Sequence, residues 1–149
     1  DVTVEPPTIL RLGGLTRERI EELIGTVELG VGGGLEQRSP GTRHRHYAPR
    51  AKVLLVKSGD AEAFAALLQA QRQLGKKVGC IVNSPLLSKL ESGDYYRVLP
   101  SSLDILARYL FRTLRELDGL GLDVIIVEGV EEHGLGATVM DRLRRAAEV

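Results

Sequence analysis

Tryptophan is absent from this 149-residue sequence, aromatic residues make up only 4% of it, and there is a single cysteine, Cys80. Binders of single-stranded nucleic acid stack bases on aromatic rings, so the scarcity of rings counts against that class. One thiol cannot close an internal disulfide, and a reducing, cytoplasmic setting is the expectation. Net charge is missing too. The 20 Lys and Arg balance 20 Asp and Glu, which leaves no bulk field to attract nucleic acid or an anionic membrane. The longest apolar runs, such as Val53 to Val56 and Val124 to Val127, fall far short of the about 20 residues of a membrane span, so no membrane partner is expected. Residues 1–5 lack the basic start and apolar run of a secretory signal. What is present is ordinary for a globular chain, 43% hydrophobic and 27% charged, with a core that Leu, Val, Ile and Ala must supply.

Breakers are distributed unevenly. Four of the 6 prolines and eight of the 17 glycines lie in the first fifty residues, so regular structure is expected to be sparse there. Thr8 to Arg11 reads as a strand, and Thr16 caps a short helix whose Ile20, Leu23 and Ile24 share a face until Gly25 stops it. One strand and one helix cannot close a core. This stretch is therefore expected to be the tail of something larger, or to dock on another surface. Gly30 to Pro49 reads as a loop. Within it Arg38, Arg43, Arg45 and Arg50 occur with no acid between Gln37 and Arg50.

After Arg50 strands and helices alternate. Lys52 to Val56, Lys77 to Val82, Tyr95 to Leu99 and Asp123 to Val127 read as strands. Asp60 caps a helix with Phe64, Leu67, Leu68 and Leu74 inward. Ser101 with Asp104 resembles a capping box before a long helix, and Ala137 to Ala147 is a final helix. The pattern predicts an α/β fold: a small Rossmann-like three-layer domain with a mainly parallel sheet, over residues 51–149.

Ligands of open parallel sheets bind beyond the carboxyl ends of the strands. No GxGxxG or phosphate-binding P-loop stands there. The turn Gly134-Leu135-Gly136 at a helix start offers backbone amides to an anion, or it is simply a tight strand-to-helix connection. Glu128, Glu131 and Glu132 would repel a phosphate nearby. His44-x-His46 lacks a third ligand and sits among arginines, so no metal site is expected. Cys80 reads as a small core residue. The basic loop is the better candidate, because Arg43, Arg45, His46, Tyr47 and Arg50 after the Ser39-Pro40-Gly41 turn suit phosphate and carboxylate groups. A solvated basic linker is the alternative.

The stretch Ser39-Pro40-Gly41-Thr42-Arg43-His44-Arg45-His46-Tyr47-Ala48-Pro49 closely resembles the interdomain linker of two-domain threonylcarbamoyl-AMP synthases. That linker reads approximately Ser-Pro-Gly-Met-x-Tyr-Arg-His-Tyr-Ala-Pro. Thr42 and His44 depart from it, and Arg45 to Pro49 match. Asp1 to Arg11 resembles the end of the family's YrdC-like catalytic domain. Gly134-Leu135-Gly136 with Asp141-Arg142-Leu143 is similar to its Gly-Leu-Gly and Asn-Arg-Leu signature. The resemblance implies three parts: residues 1–25 as the end of the YrdC-like domain, 26–50 as the linker, and 51–149 as the Rossmann-like C-terminal domain.

It further implies an enzyme that joins L-threonine, bicarbonate and ATP, with Mg²⁺, into threonylcarbamoyl-AMP and pyrophosphate. Other tRNA-modification proteins then use that product. By resemblance Arg11 contacts nucleotide phosphates, Tyr47 reaches the bound nucleotide or threonine, and Arg45 and His46 pin the linker as a lid. The family's substrate cleft and ATP-binding Ser lie upstream of the position matching Asp1. No catalytic residue is therefore expected in this segment, residues 1–149 alone are expected to be inactive and to bind no cofactor, and the partner is the YrdC-like domain. Two other readings stay open: residues 51–149 as an anion- or nucleotide-sensing regulatory module, and the Gln37 to Arg50 loop as a tRNA-docking module, whose affinity would fall steeply with salt.

Overall fold

The computed structural model describes residues 1–30, 49–91 and 93–147. The larger unit is built on four strands, β3 (Lys52–Val56), β4 (Val78–Val82), β5 (Tyr95–Val98) and β6 (Val124–Glu128). They are all parallel, in the order β3-β6-β4-β5. All five residues of β4 and all five of β6 are buried, as continuous apolar strands covered on both faces must be.

Three helices cover the sheet: α2 (Ala61–Gln73), α3 (Leu103–Asp118) and α4 (Leu135–Ala147). Alternate strand residues separate two apolar clusters. Val53, Ile81, Ile125 and Val127 meet Leu110 and Leu114 of α3 and Val139 and Leu143 of α4. Cys80, Val82, Val124 and Ile126 meet Phe64 and Leu68 of α2 on the opposite face. That period of two puts α2 on one side and α3 with α4 on the other, the three-layer arrangement expected from the sequence. A short 3₁₀ helix, Ser84–Lys89, leads from β4 toward β5.

The first thirty residues form a small separate sheet. β1 (Thr8–Ile9) pairs in parallel with β2 (Glu28–Leu29), and α1 (Arg17–Ile24) connects them. Thr16 caps α1 by accepting from the Arg19 amide at 3.4 Å. Arg17 ties the helix to the strand entry through Glu21 at 2.9 Å and the Val27 carbonyl at 3.0 Å. No residue of α1 is fully buried, and Leu23 is 68% exposed.

Several sequence expectations shift. The first strand is two residues long, so Leu10 and Arg11 leave the ladder. β2 lies in the stretch read as linker, so ordered structure runs past Gly25 to Gly30, whose amide donates to the Ile9 carbonyl at 3.0 Å. The cap of α3 is Ser102, accepting from the Ile105 amide at 3.5 Å, rather than the Ser101 and Asp104 pair. α4 opens at Leu135, two residues earlier than expected. Leu74 was expected inward, but as the residue that ends α2 it has already left the helix's buried stripe and is 68% exposed.

Candidate functional site

The carboxyl ends of the strands are tied together by one buried acid. Glu128 closes β6 and is 2% exposed. Its Oε1 accepts from the Gly59 amide at 3.1 Å and its Oε2 from the Asn83 amide at 2.7 Å. One carboxylate thus holds the starts of the connections leaving β3 and β4, the strands on either side of β6. The buried charge is compensated by two backbone donors, as a charge away from water must be.

Beside it the chain leaves β3 toward α2 on one face and β6 toward α4 on the other. Two neighbouring strand ends that diverge in this way make the crevice where open α/β sheets bind ligands. Here it is a cleft of ≈ 420 Å³, with Lys57 and Arg144 facing Glu131 and Glu132 over an apolar floor. Arg144 donates to Glu132, and that bond holds the Glu132 carboxyl below the usual carboxylate range. Two acids and two bases line the crevice, so its formal charges balance.

The second concave surface lies on the small sheet. A cleft of ≈ 380 Å³ is lined by Thr8, Ile9, Leu10, Arg11, Ile20 and Val27, among others. Arg11 is exposed at its edge, just past β1. Ser39, Pro40, Gly41, Arg45, His46 and Tyr47 lie outside the described residues, as do Arg38, Arg43 and His44. The structure does describe both flanks of that stretch. Gly30 is held on β1 as above. Beyond buried Pro49 the Ala51 amide donates to Asp118 at 2.9 Å, and Arg50 lies 3.7 Å from the same carboxylate.

Cys80 is buried in β4, and burial pushes its thiol up to about 12. A thiol so far from ionisation is an inert core group, as the sequence implied. Among the described residues no group of three or more His, Cys, Asp or Glu could hold a metal ion. None of their helices is long and apolar enough to cross a membrane.

With this geometry in place, the chain matches, over residues 15–148, the family described as threonylcarbamoyl-AMP synthase, C-terminal domain. The chain belongs to that family. The threonylcarbamoyl-AMP synthase of Pyrococcus abyssi is 38% identical over 154 residues, covering 99% of this chain and 44% of that protein. A crystal structure of a P. abyssi homologue complexed with L-threonine is similar with a TM-score of 0.83 at 38% identity, over 97% of this chain and 43% of that one. A P. abyssi variant in which a neighbouring His and Tyr are both replaced by Ala gives 0.81 at 37% identity, over 99% and 43%. The chain therefore spans less than half the length of the relatives it matches.

In this threonylcarbamoyl-AMP synthase C-terminal domain, the signature read near the end of the sequence is structural. Arg145 bonds Asp141 at 3.1 Å along α4. Arg142 donates to the Ala107 carbonyl of α3 at 3.0 Å and lies over the Phe111 ring, 5.9 Å from its centroid. Two buried polar residues carried no sequence-level role as anchors: Glu128 and Thr138, each 2% exposed. Their signal was a polar side chain at an apolar position, since a buried polar group must find a partner.

Proposed function

We propose that this chain is the C-terminal part of an L-threonylcarbamoyladenylate synthase. In that reaction L-threonine and bicarbonate condense to a carbamate with loss of water. A carbamate oxygen attacks the α-phosphate of ATP, and pyrophosphate leaves. The product is threonylcarbamoyl-AMP, the donor that other proteins use in making N6-threonylcarbamoyladenosine in tRNA. The observation that carries the proposal is the family match over residues 15–148. The exposed apolar face of α1 and the open cleft beside Arg11 also support it, because they leave room for the larger domain that the relatives possess.

In this reading residues 1–25 are the end of a YrdC-like catalytic domain, residues 26–50 the linker, and residues 51–149 the Rossmann-like platform. Arg11 offsets nucleotide phosphate charge where anionic carbamate meets anionic phosphate. The Ser39-Pro40-Gly41 turn directs the linker across the site. Arg45 and His46 pin it there, and Tyr47 reaches nucleotide or threonine. His46-Tyr47 is the one adjacent His-Tyr pair in this sequence, and a neighbouring His and Tyr are the residues altered in the P. abyssi variant. A closed lid keeps water from an unstable carbamate and a mixed anhydride. Mg²⁺ would neutralise phosphate charge, and no residue described here is assigned to it. The lone, buried, protonated Cys80 suits a reducing cytoplasm.

The test is pyrophosphate release from ATP, L-threonine and bicarbonate by this chain joined to its catalytic domain, with Tyr47→Ala and Arg11→Ala compared. The proposal expects turnover by the joined protein and a loss of at least tenfold in each variant. Equal rates in all three would overturn the assigned roles.

A further inference from the structure

The turn Gly134-Leu135-Gly136 has the look of an anion site, yet the structure fills its surroundings with protein. A Cβ on Gly136 would lie 1.9 Å from the Glu131 carbonyl oxygen, so the glycine allows the chain to fold back on itself at the start of α4. Gly134 takes a φ of +54°, which favours glycine. A Cβ there would sit 3.9 Å from the Thr16 methyl group. One turn further along, the buried Thr138 hydroxyl donates to the Gly13 carbonyl at 2.9 Å, across 125 residues of sequence. On the rim His133 Nε2 lies 4.0 Å from Glu18 Oε1. The partner at this turn is therefore the segment between β1 and α1.

We propose that residues 133–138 are a docking clasp that holds residues 13–18, and that this clasp sets how the C-terminal domain sits on the domain to which β1 and α1 belong. The identity of that domain rests on the function proposed above; the clasp itself does not. The His133 and Glu18 pair is exposed and adds little. The hydroxyl bond runs from a buried side chain to a half-buried carbonyl, and without it the Gly13 carbonyl loses its Thr138 donor. Gly136 lets the chain turn tightly at the start of α4, the helix that presents Thr138 to this segment.

Backbone hydrogen exchange on this chain tests the clasp, comparing residues 8–29 with the core strands β3, β4 and β6. Thr138→Val keeps the shape and removes the donor, Thr138→Ala removes it without an added contact, and Thr138→Ser retains it. The expected result is exchange about tenfold faster over residues 8–29 in the Val and Ala variants, from the loss of one part-buried hydrogen bond. The core should be unchanged, and the Ser variant should behave as wild type. Wild-type protection of residues 8–29 in both Val and Ala variants would overturn the clasp. Equal loosening of core and segment would also overturn it, because Thr138 would then act only through core packing. A failed pyrophosphate assay with selective loosening would refute the proposed function and leave the clasp standing.

Discussion

Replacing Glu128 with Gln removes a charge and one acceptor while leaving the side-chain volume almost unchanged. In the wild type the two carboxylate oxygens take the Gly59 and Asn83 amides at 3.1 and 2.7 Å. The amide group of Gln keeps one carbonyl oxygen, best placed on the shorter Asn83 bond, and turns an NH₂ toward Gly59. A hydrogen bond to a charged acceptor contributes about 1.5–3 kcal/mol, and an unmatched buried donor costs about 1–3 kcal/mol. These overlap, so the expected loss is about 2–4 kcal/mol. With a urea dependence of about 1.5 kcal/mol per molar, the midpoint should fall by about 2 M. Exchange at the Gly59 amide should rise more than exchange at Asn83. A midpoint shift below about 0.3 M would refute the claim that this carboxylate ties the strand ends together.

Gly136→Ala should destabilise the chain by more than about 2 kcal/mol in urea unfolding, because the added Cβ meets the Glu131 carbonyl at 1.9 Å; the ordinary helix preference for Ala has the opposite sign. Ser102→Ala should cost about 0.5–1 kcal/mol through loss of the α3 cap, whereas Ser101→Ala should be near neutral in the same assay. Cys80 should be protected from a thiol reagent at pH 8 until urea unfolds the chain. Its thiol is raised from 9.0 to about 12 by burial, which lowers its thiolate fraction by about a thousandfold. Above pH 9 the unfolded thiol ionises while the folded one stays protonated. This group's contribution is therefore complete below pH 9 and lost as pH rises toward 12, visible as a falling urea midpoint that Cys80→Ala flattens.

The layered fold was legible because β3, β4 and β6 are apolar runs bounded by breakers, and because Leu106, Leu110, Leu114 and Leu117 recur at helical spacing. Strand order was not. β4 and β6 are both fully buried five-residue strands, and nothing local says that β6 inserts between β3 and β4. β2 escaped because two exposed residues carry no periodicity and acquire their strand character only from pairing with β1. At the site, the acids at 128, 131 and 132 were visible as repellents of phosphate. That Glu128 is an internal tie depends on two amides distant in sequence. Thr138 was equally hidden, since its partner Gly13 lies at the other end of the chain.

Pyrophosphate release from ATP, L-threonine and bicarbonate, measured in parallel on residues 1–149 and on the same chain preceded by a YrdC-like catalytic domain, decides whether this chain works as the C-terminal part of a larger enzyme. Residues 1–149 alone should show no turnover, and the longer protein sustained, threonine-dependent turnover. Turnover by residues 1–149 alone, or none by a folded longer protein, would contradict it.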